Sequence, residues 1–151
     1  MTGKKPKQSE RPGLDGYGRT PLHYAASEAN LDALVELLNQ GLDPNAVDDN
    51  GWTPLHFAAQ ANSAACVSAL LEAGAISSVV DSNGNTPLLR AVFSSKGEGE
   101  VIRLLRAAGA DPLHENASGV SAVSLARMIG NYPVAQFFAD VDCPSVPFSA
   151  P

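Results

Sequence analysis

Thr20-Pro21-Leu22-His23-Tyr24-Ala25-Ala26 returns 33 residues later as Thr53-Pro54-Leu55-His56-Phe57-Ala58-Ala59 and, after another 33, as Thr86-Pro87-Leu88-Leu89-Arg90-Ala91-Val92. A worn fourth copy, Ser121-Ala122-Val123-Ser124-Leu125-Ala126-Arg127, follows after 35. A second marker keeps the same step, since Gly41, Gly74 and Gly109 are also 33 and 35 residues apart. The two extra residues of the third unit therefore fall between these markers, in Ser94-Ser95-Lys96-Gly97-Glu98-Gly99-Glu100. A fixed period of this length is the signature of a chain built from stacked units.

Elementary chemistry reads each unit as helix, loop, helix and turn. Threonine is a good N-cap, and proline in the first helical position loses no needed donor and presets φ. Leu22, Ala25 and Ala26 follow at helical spacing, and the alanines let a neighbouring helix come close. The polar break Glu28-Ala29-Asn30 ends this short helix; Leu31, Leu34, Val35, Leu37 and Leu38 mark a longer one, and Gly41 suits the left-handed residue that closes it. The linking segment from Leu42 to Gly51 is full of turn formers. One unit has too little apolar surface to fold alone, so the units must stack.

With this period, the two full Thr-Pro-Leu-His-x-Ala-Ala motifs and Leu70-Leu71-Glu72-Ala73-Gly74-Ala75, the chain resembles the ankyrin repeat family over roughly residues 15–140. The resemblance implies an all-α solenoid of four stacked helix-turn-helix units, with β-turn or hairpin loops projecting from one edge. It also implies a concave surface, lined by the turns and first helices, that binds other proteins. The fourth unit departs from the pattern: Ser121-Ala122 replaces Thr-Pro, Ser124 replaces histidine, and Phe137-Phe138 stand where a leucine pair is expected. Terminal units lack an outer neighbour, so this one reads as the C-terminal cap. The expected organisation is a flexible basic tail at 1–13, a repeat domain at 14–140 with units at about 15–47, 48–80, 81–115 and 116–140, and a proline-rich tail at 141–151.

The chain has 151 residues, 44% hydrophobic and 17% charged, which suits one folded domain. No apolar run is long enough to span a membrane, and nothing apolar follows the basic start as in a secretory signal. Two cysteines far apart supply no disulfide framework, and the expected compartment is the cytoplasm. The net charge is −6, with +3 in the first twelve residues and therefore −9 in the rest. No lysine or arginine stands between Arg19 and Arg90, whereas eight acids do: Glu28, Asp32, Glu36, Asp43, Asp48, Asp49, Glu72 and Asp81. Such a body repels nucleic acid and anionic lipid, and steers a basic protein towards it.

Catalytic and metal chemistry finds no support in the residue pattern. His23 and His56 share one repeat position, where the family resemblance gives the histidine a structural role, bonded to nearby backbone and to the motif's threonine. His114 has only Glu115 beside it, far short of a zinc ligand set. Cys66 lies among small apolar residues and reads as a buried thiol, while Cys143 has no activating cation near it. The glycine-rich segment at 96–100 is acidic, the wrong sign for holding phosphate. The expectation is a non-enzyme without cofactor or metal.

The resemblance instead points to a binding surface. Its turn positions hold Tyr17, Arg19, Asp48, Asp49, Asn50, Trp52, Asn83 and Asn85, and its first-helix positions hold Tyr24, Glu28, Phe57, Gln60, Arg90 and Phe93. Trp52 is the only tryptophan and occupies a variable turn position, so it reads as a binding anchor, the alternative being that it packs on the neighbouring turn. Tyr17 and Trp52 in an acidic frame suit a partner presenting lysine or arginine. The expected partner is a protein with a basic surface, with the chain itself monomeric. A narrower alternative comes from size and charge: small free-standing ankyrin proteins resemble bacterial immunity proteins, which occlude the active site of a cognate toxin.

Overall fold

A computed structural model describes residues 15–130 and 133–141. The first helix of each unit begins as its N-cap dictates. Thr20, Thr53, Thr86 and Ser121 are extended and turn their hydroxyls onto the backbone N–H groups of the first turn, starting α1 (Pro21–Ser27), α3 (Pro54–Gln60), α5 (Pro87–Ser94) and α7 (Ala122–Met128). The second helices are α2 (Leu31–Asn39), α4 (Ala64–Glu72) and α6 (Glu100–Ala107). Asn30 and Ser63 cap the first two, whereas Gly99 provides no side-chain cap for α6. Gly41, Gly74 and Gly109 follow these helices at φ of +92°, +98° and +95°, the left-handed geometry that releases the chain into the next turn. Between first and second helices, residues 28–30 and 61–63 are matched in the third unit by residues 95–99, so the two-residue insertion lies where the spacing placed it.

Two layers result: α1, α3, α5 and α7 pack in sequence, and α2, α4 and α6 pack behind them. Leu22, Leu55, Leu88 and Val123 form a fully buried column, flanked by Ala25, Ala58, Ala91 and Ala126. The alanines set the close approach, and each buried leucine contributes about 1.5–3 kcal/mol. Cys66, Val67, Leu70, Ile102 and Leu105 fill the space between layers, so Cys66 is the buried thiol expected.

The fourth unit closes the stack differently. Its second helix is a short 3-10 helix (Val134–Phe138), and the Phe138 ring is 1% exposed against the core. Phe137 lies over Gly99, where any Cβ would run into its ring and force it to shift. Arg103 stacks on Phe137 at 4.9 Å, while Arg106 donates to the Phe137 carbonyl (2.9 Å) and to both Asp140 oxygens (2.8 Å each). Those hydrogen bonds from Arg106 pull the Asp140 carboxyl down to about 2. The basic N-terminal tail, and in the proline-rich segment Cys143, Val146 and Phe148, lie outside the described residues. Among the described residues no helix is long and apolar enough to cross a membrane.

Candidate protein-binding face

The turns are built by one repeated device. Asp15 Oδ1 accepts the N–H groups of Tyr17 and Arg19, and Asp48 Oδ1 those of Asn50 and Trp52. Asp81 Oδ1 takes those of Asn83 and Asn85, and Asn116 Oδ1 those of Ser118 and Val120, all eight bonds at 2.8–3.0 Å. One backbone bond of 2.9 Å then joins each turn to the next: Asp49 N–H to Tyr17, Ser82 N–H to Asn50, Ala117 N–H to Asn83. Gly51 and Gly84 sit at φ of +80° and +79° with the following turn's backbone 3.0–3.1 Å from where a Cβ would be, so any side chain is strained at both.

The two histidines complete this scaffold. His23 Nδ1 accepts the Thr20 N–H (2.9 Å), which fixes the proton on Nε2, and Nε2–H donates to the Trp52 carbonyl of the next unit (3.0 Å). His56 repeats this with Thr53 (3.1 Å) and the Asn85 carbonyl (2.9 Å). The third unit has Leu89 in that place, and its link to the fourth is made by Asn116 Nδ2–H donating to Asn85 Oδ1 (2.8 Å). Burial holds both imidazoles below their ordinary 6.5, against the opposing hydrogen bonds to Trp52 and Asn85. The folded state thus binds fewer protons than the unfolded chain at mildly acid pH. This stabilisation is fully present above the unfolded value and is lost as pH falls through it. The thermal midpoint is expected to drop between pH 7.5 and 5.5, above the range where carboxylates titrate; an unchanged midpoint would show that the histidines are not held neutral.

Between the turns and the first helices runs a ladder of rings and guanidinium groups. Arg19 stacks on Tyr17 (5.0 Å), Tyr24 (5.8 Å) and Phe57 (5.1 Å), and its Nε–H donates to Asp48 (3.1 Å). Tyr24 donates its hydroxyl proton to Asp15. Trp52 packs on Phe57 (4.8 Å) and His56 (5.7 Å), and Arg90 covers its ring at 4.5 Å while pairing with Asp81 at 3.5 Å.

This geometry redistributes the residues expected at the surface. Tyr17, Tyr24, Glu28, Asp49, Asn50, Gln60, Asn83 and Phe93 are exposed. Arg19, Trp52, Phe57 and Arg90 are half-buried. Asp48 and Asn85 are buried, a correction to their reading as contact residues: Asp48 bonds two turn amides and Arg19, and Asn85 bridges to Asn116. Trp52 packs on His56 and Phe57 and lies under Arg90, the packing that stood as the alternative to an anchor role. The recurrence of Asp15, Asp48 and Asp81 at 33-residue intervals, with Asn116 after 35 more, is the signal that separates turn-building acids from displayed ones. Of the eight acids between Arg19 and Arg90, Asp48 and Asp81 are buried, Asp32, Glu36 and Glu72 stand on α2 and α4, and Asp43 follows α2. Glu28 and Asp49 remain with the first helices and turns.

No group of three or more metal-ligating side chains occurs among the described residues. A family model described as ankyrin repeats (3 copies) matches residues 22–116, ending where the fourth unit begins. No individual curated protein matches the sequence. Ankyrin repeats are generally protein–protein interaction modules and typically non-enzymatic, and this match spans well over half of the 151 residues. With its helix pairs, projecting turns and buried histidines arranged as the repeat motif requires, the chain belongs to the ankyrin repeat family.

Proposed function

We propose that the chain is a non-enzymatic binding module that engages a basic protein partner through the face formed by its turns and first helices. The observation that carries this reading is the charge of the first two units on that face. Arg19 is paired with buried Asp48, and Glu28 and Asp49 stand exposed on the same face as Tyr17 and Tyr24. An acidic, aromatic surface favours lysine and arginine by ion pairing and cation–π contact. Turns joined to one another by backbone bonds keep the face ordered before binding, so little entropy is lost on association.

The test is capture from a source-cell lysate at low and moderate salt, with mass-spectrometric identification, repeated with the charge-reversed double variant Glu28→Lys and Asp49→Lys. A basic partner retained by the native chain and lost to the variant is the expected result; a predominantly acidic partner, or one indifferent to the reversal, would sink the reading. A captured enzyme that is inactive while bound would make the chain an inhibitor of the immunity-protein kind, and a non-catalytic partner would make it an adaptor.

A further inference from the structure

The face changes character along the stack. At one first-helix position the four units carry Ser27, Gln60, Phe93 and Met128; at another they carry Tyr24, Phe57, Arg90 and Leu125. At the first position the polar Ser27 and Gln60 give way to the exposed apolar Phe93 and Met128, whereas at the second the one charged side chain, Arg90, stands in the third unit. Phe93 is 69% exposed and Met128 63%, the two most exposed large hydrophobic side chains among the described residues. Phe93 borders a groove of about 170 Å³ whose apolar wall is completed by Leu89, Val120 and Leu125, with Arg90 and Asn116 at its polar edge. Small-molecule sites commonly need about 300 Å³ or more, so this volume suits one protein side chain rather than a free ligand. Stacking on Trp52 and pairing with Asp81 fix the Arg90 guanidinium at that edge, and its Nε–H is buried without an acceptor. Asn116 is held by Asn85, so the groove is ordered on both sides.

We infer that this groove receives one aliphatic or aromatic side chain of the partner, from a segment whose basic residue lies against Glu28 or Asp49. This rests on the proposed function and adds the second half of the recognition element. Charge complementarity sets the direction: the acids lie in units one and two, and the groove between units three and four. Neighbouring helices lie about 9 Å apart, so the one and a half to two and a half units between acids and groove amount to about 14 to 23 Å. An extended segment at about 3.3 Å per residue spans that distance in about four to seven residues. A backbone carbonyl beside the anchor accepts from the outer edge of Arg90.

The experiment uses random dodecapeptides displayed on phage, selected on the full chain, with affinities of the enriched peptides then measured by fluorescence anisotropy. Expected are peptides with a lysine or arginine about four to seven residues from a leucine, methionine, isoleucine or phenylalanine. Val120→Arg, which fills the groove from a half-exposed position, and Phe93→Ala are each expected to weaken them about tenfold. Thermal melts establish that both variants are folded, and Phe93, mostly in solvent, serves if Val120→Arg is not. Basic peptides that lack an apolar anchor and bind both variants normally would overturn the groove while leaving the proposed function standing. Peptides that need the groove but carry no basic residue would sustain the groove and overturn the acidic-face reading.

Discussion

Replacing Asp81 by alanine is expected to cost about 3 kcal/mol or more of stability, although Asp81 contributes nothing to the hydrophobic core. Its side chain is fully buried and accepts from the N–H groups of Asn83 (2.8 Å) and Asn85 (2.9 Å) and from Asn85 Nδ2 (3.2 Å), besides pairing with Arg90. Burial alone would raise its pKa, yet these donors outweigh burial and hold the carboxyl below its ordinary value. Alanine leaves the turn amides without an acceptor and Arg90 stacked on Trp52 without a counter-charge. Each buried donor left unmade costs about 1–3 kcal/mol. At about 2–4 °C per kcal/mol for a chain of this size, the thermal midpoint falls by roughly ten degrees. Asp81→Asn is expected to recover most of this, because Asn116 holds the fourth turn through the same two amide contacts. Urea denaturation of both variants is the measurement; an alanine variant within about 1 kcal/mol of the native chain, or an asparagine variant no better than alanine, would refute this role.

Phe138→Ala is the second large effect, and its signature is local. Truncating a buried phenylalanine typically costs about 3–5 kcal/mol. In a stack where each unit touches only its neighbours, that loss falls first on the terminal unit. Hydrogen exchange is expected to show α7 and residues 134–138 losing protection while α3 and α4 keep theirs. Equal loss throughout would mean that the four units unfold as one block and that the last is not a separable cap. The groove would go with the cap, since Val120 and Leu125 both belong to the fourth unit.

The repeat itself was legible because its determinants are local. A threonine hydroxyl, the proline after it and a glycine some twenty residues on act within one turn of chain, so their recurrence located seven helices and the lengthened loop of unit three. The form of the last helix was less legible. Phe137-Phe138 in place of leucines signalled an atypical cap, but the 3-10 helix packs against Gly99 and Arg106, which stand 38 and 31 residues before Phe137. The acids were hardest to sort. Asp48 and Asp49 are adjacent and chemically identical in sequence, yet the turn draws one inside to bond Asn50, Trp52 and Arg19 and leaves the other on the surface. The packing of Trp52 is of the same kind: Phe57 comes from its own unit, but Arg90, which covers its ring, comes from the next.

The sequence by itself determined the repeated helix pairs, because caps, helix stops and period are properties of short segments, and its resemblance to the ankyrin family implied the all-α stack with turns projecting from one edge. Tertiary structure decided which charges remain displayed, which rings are braced by arginine, and where an apolar groove opens between the third and fourth units. Those outcomes arise from side chains 29 to 38 residues apart meeting across the stack, and a contact of that range has no signature within a single repeat.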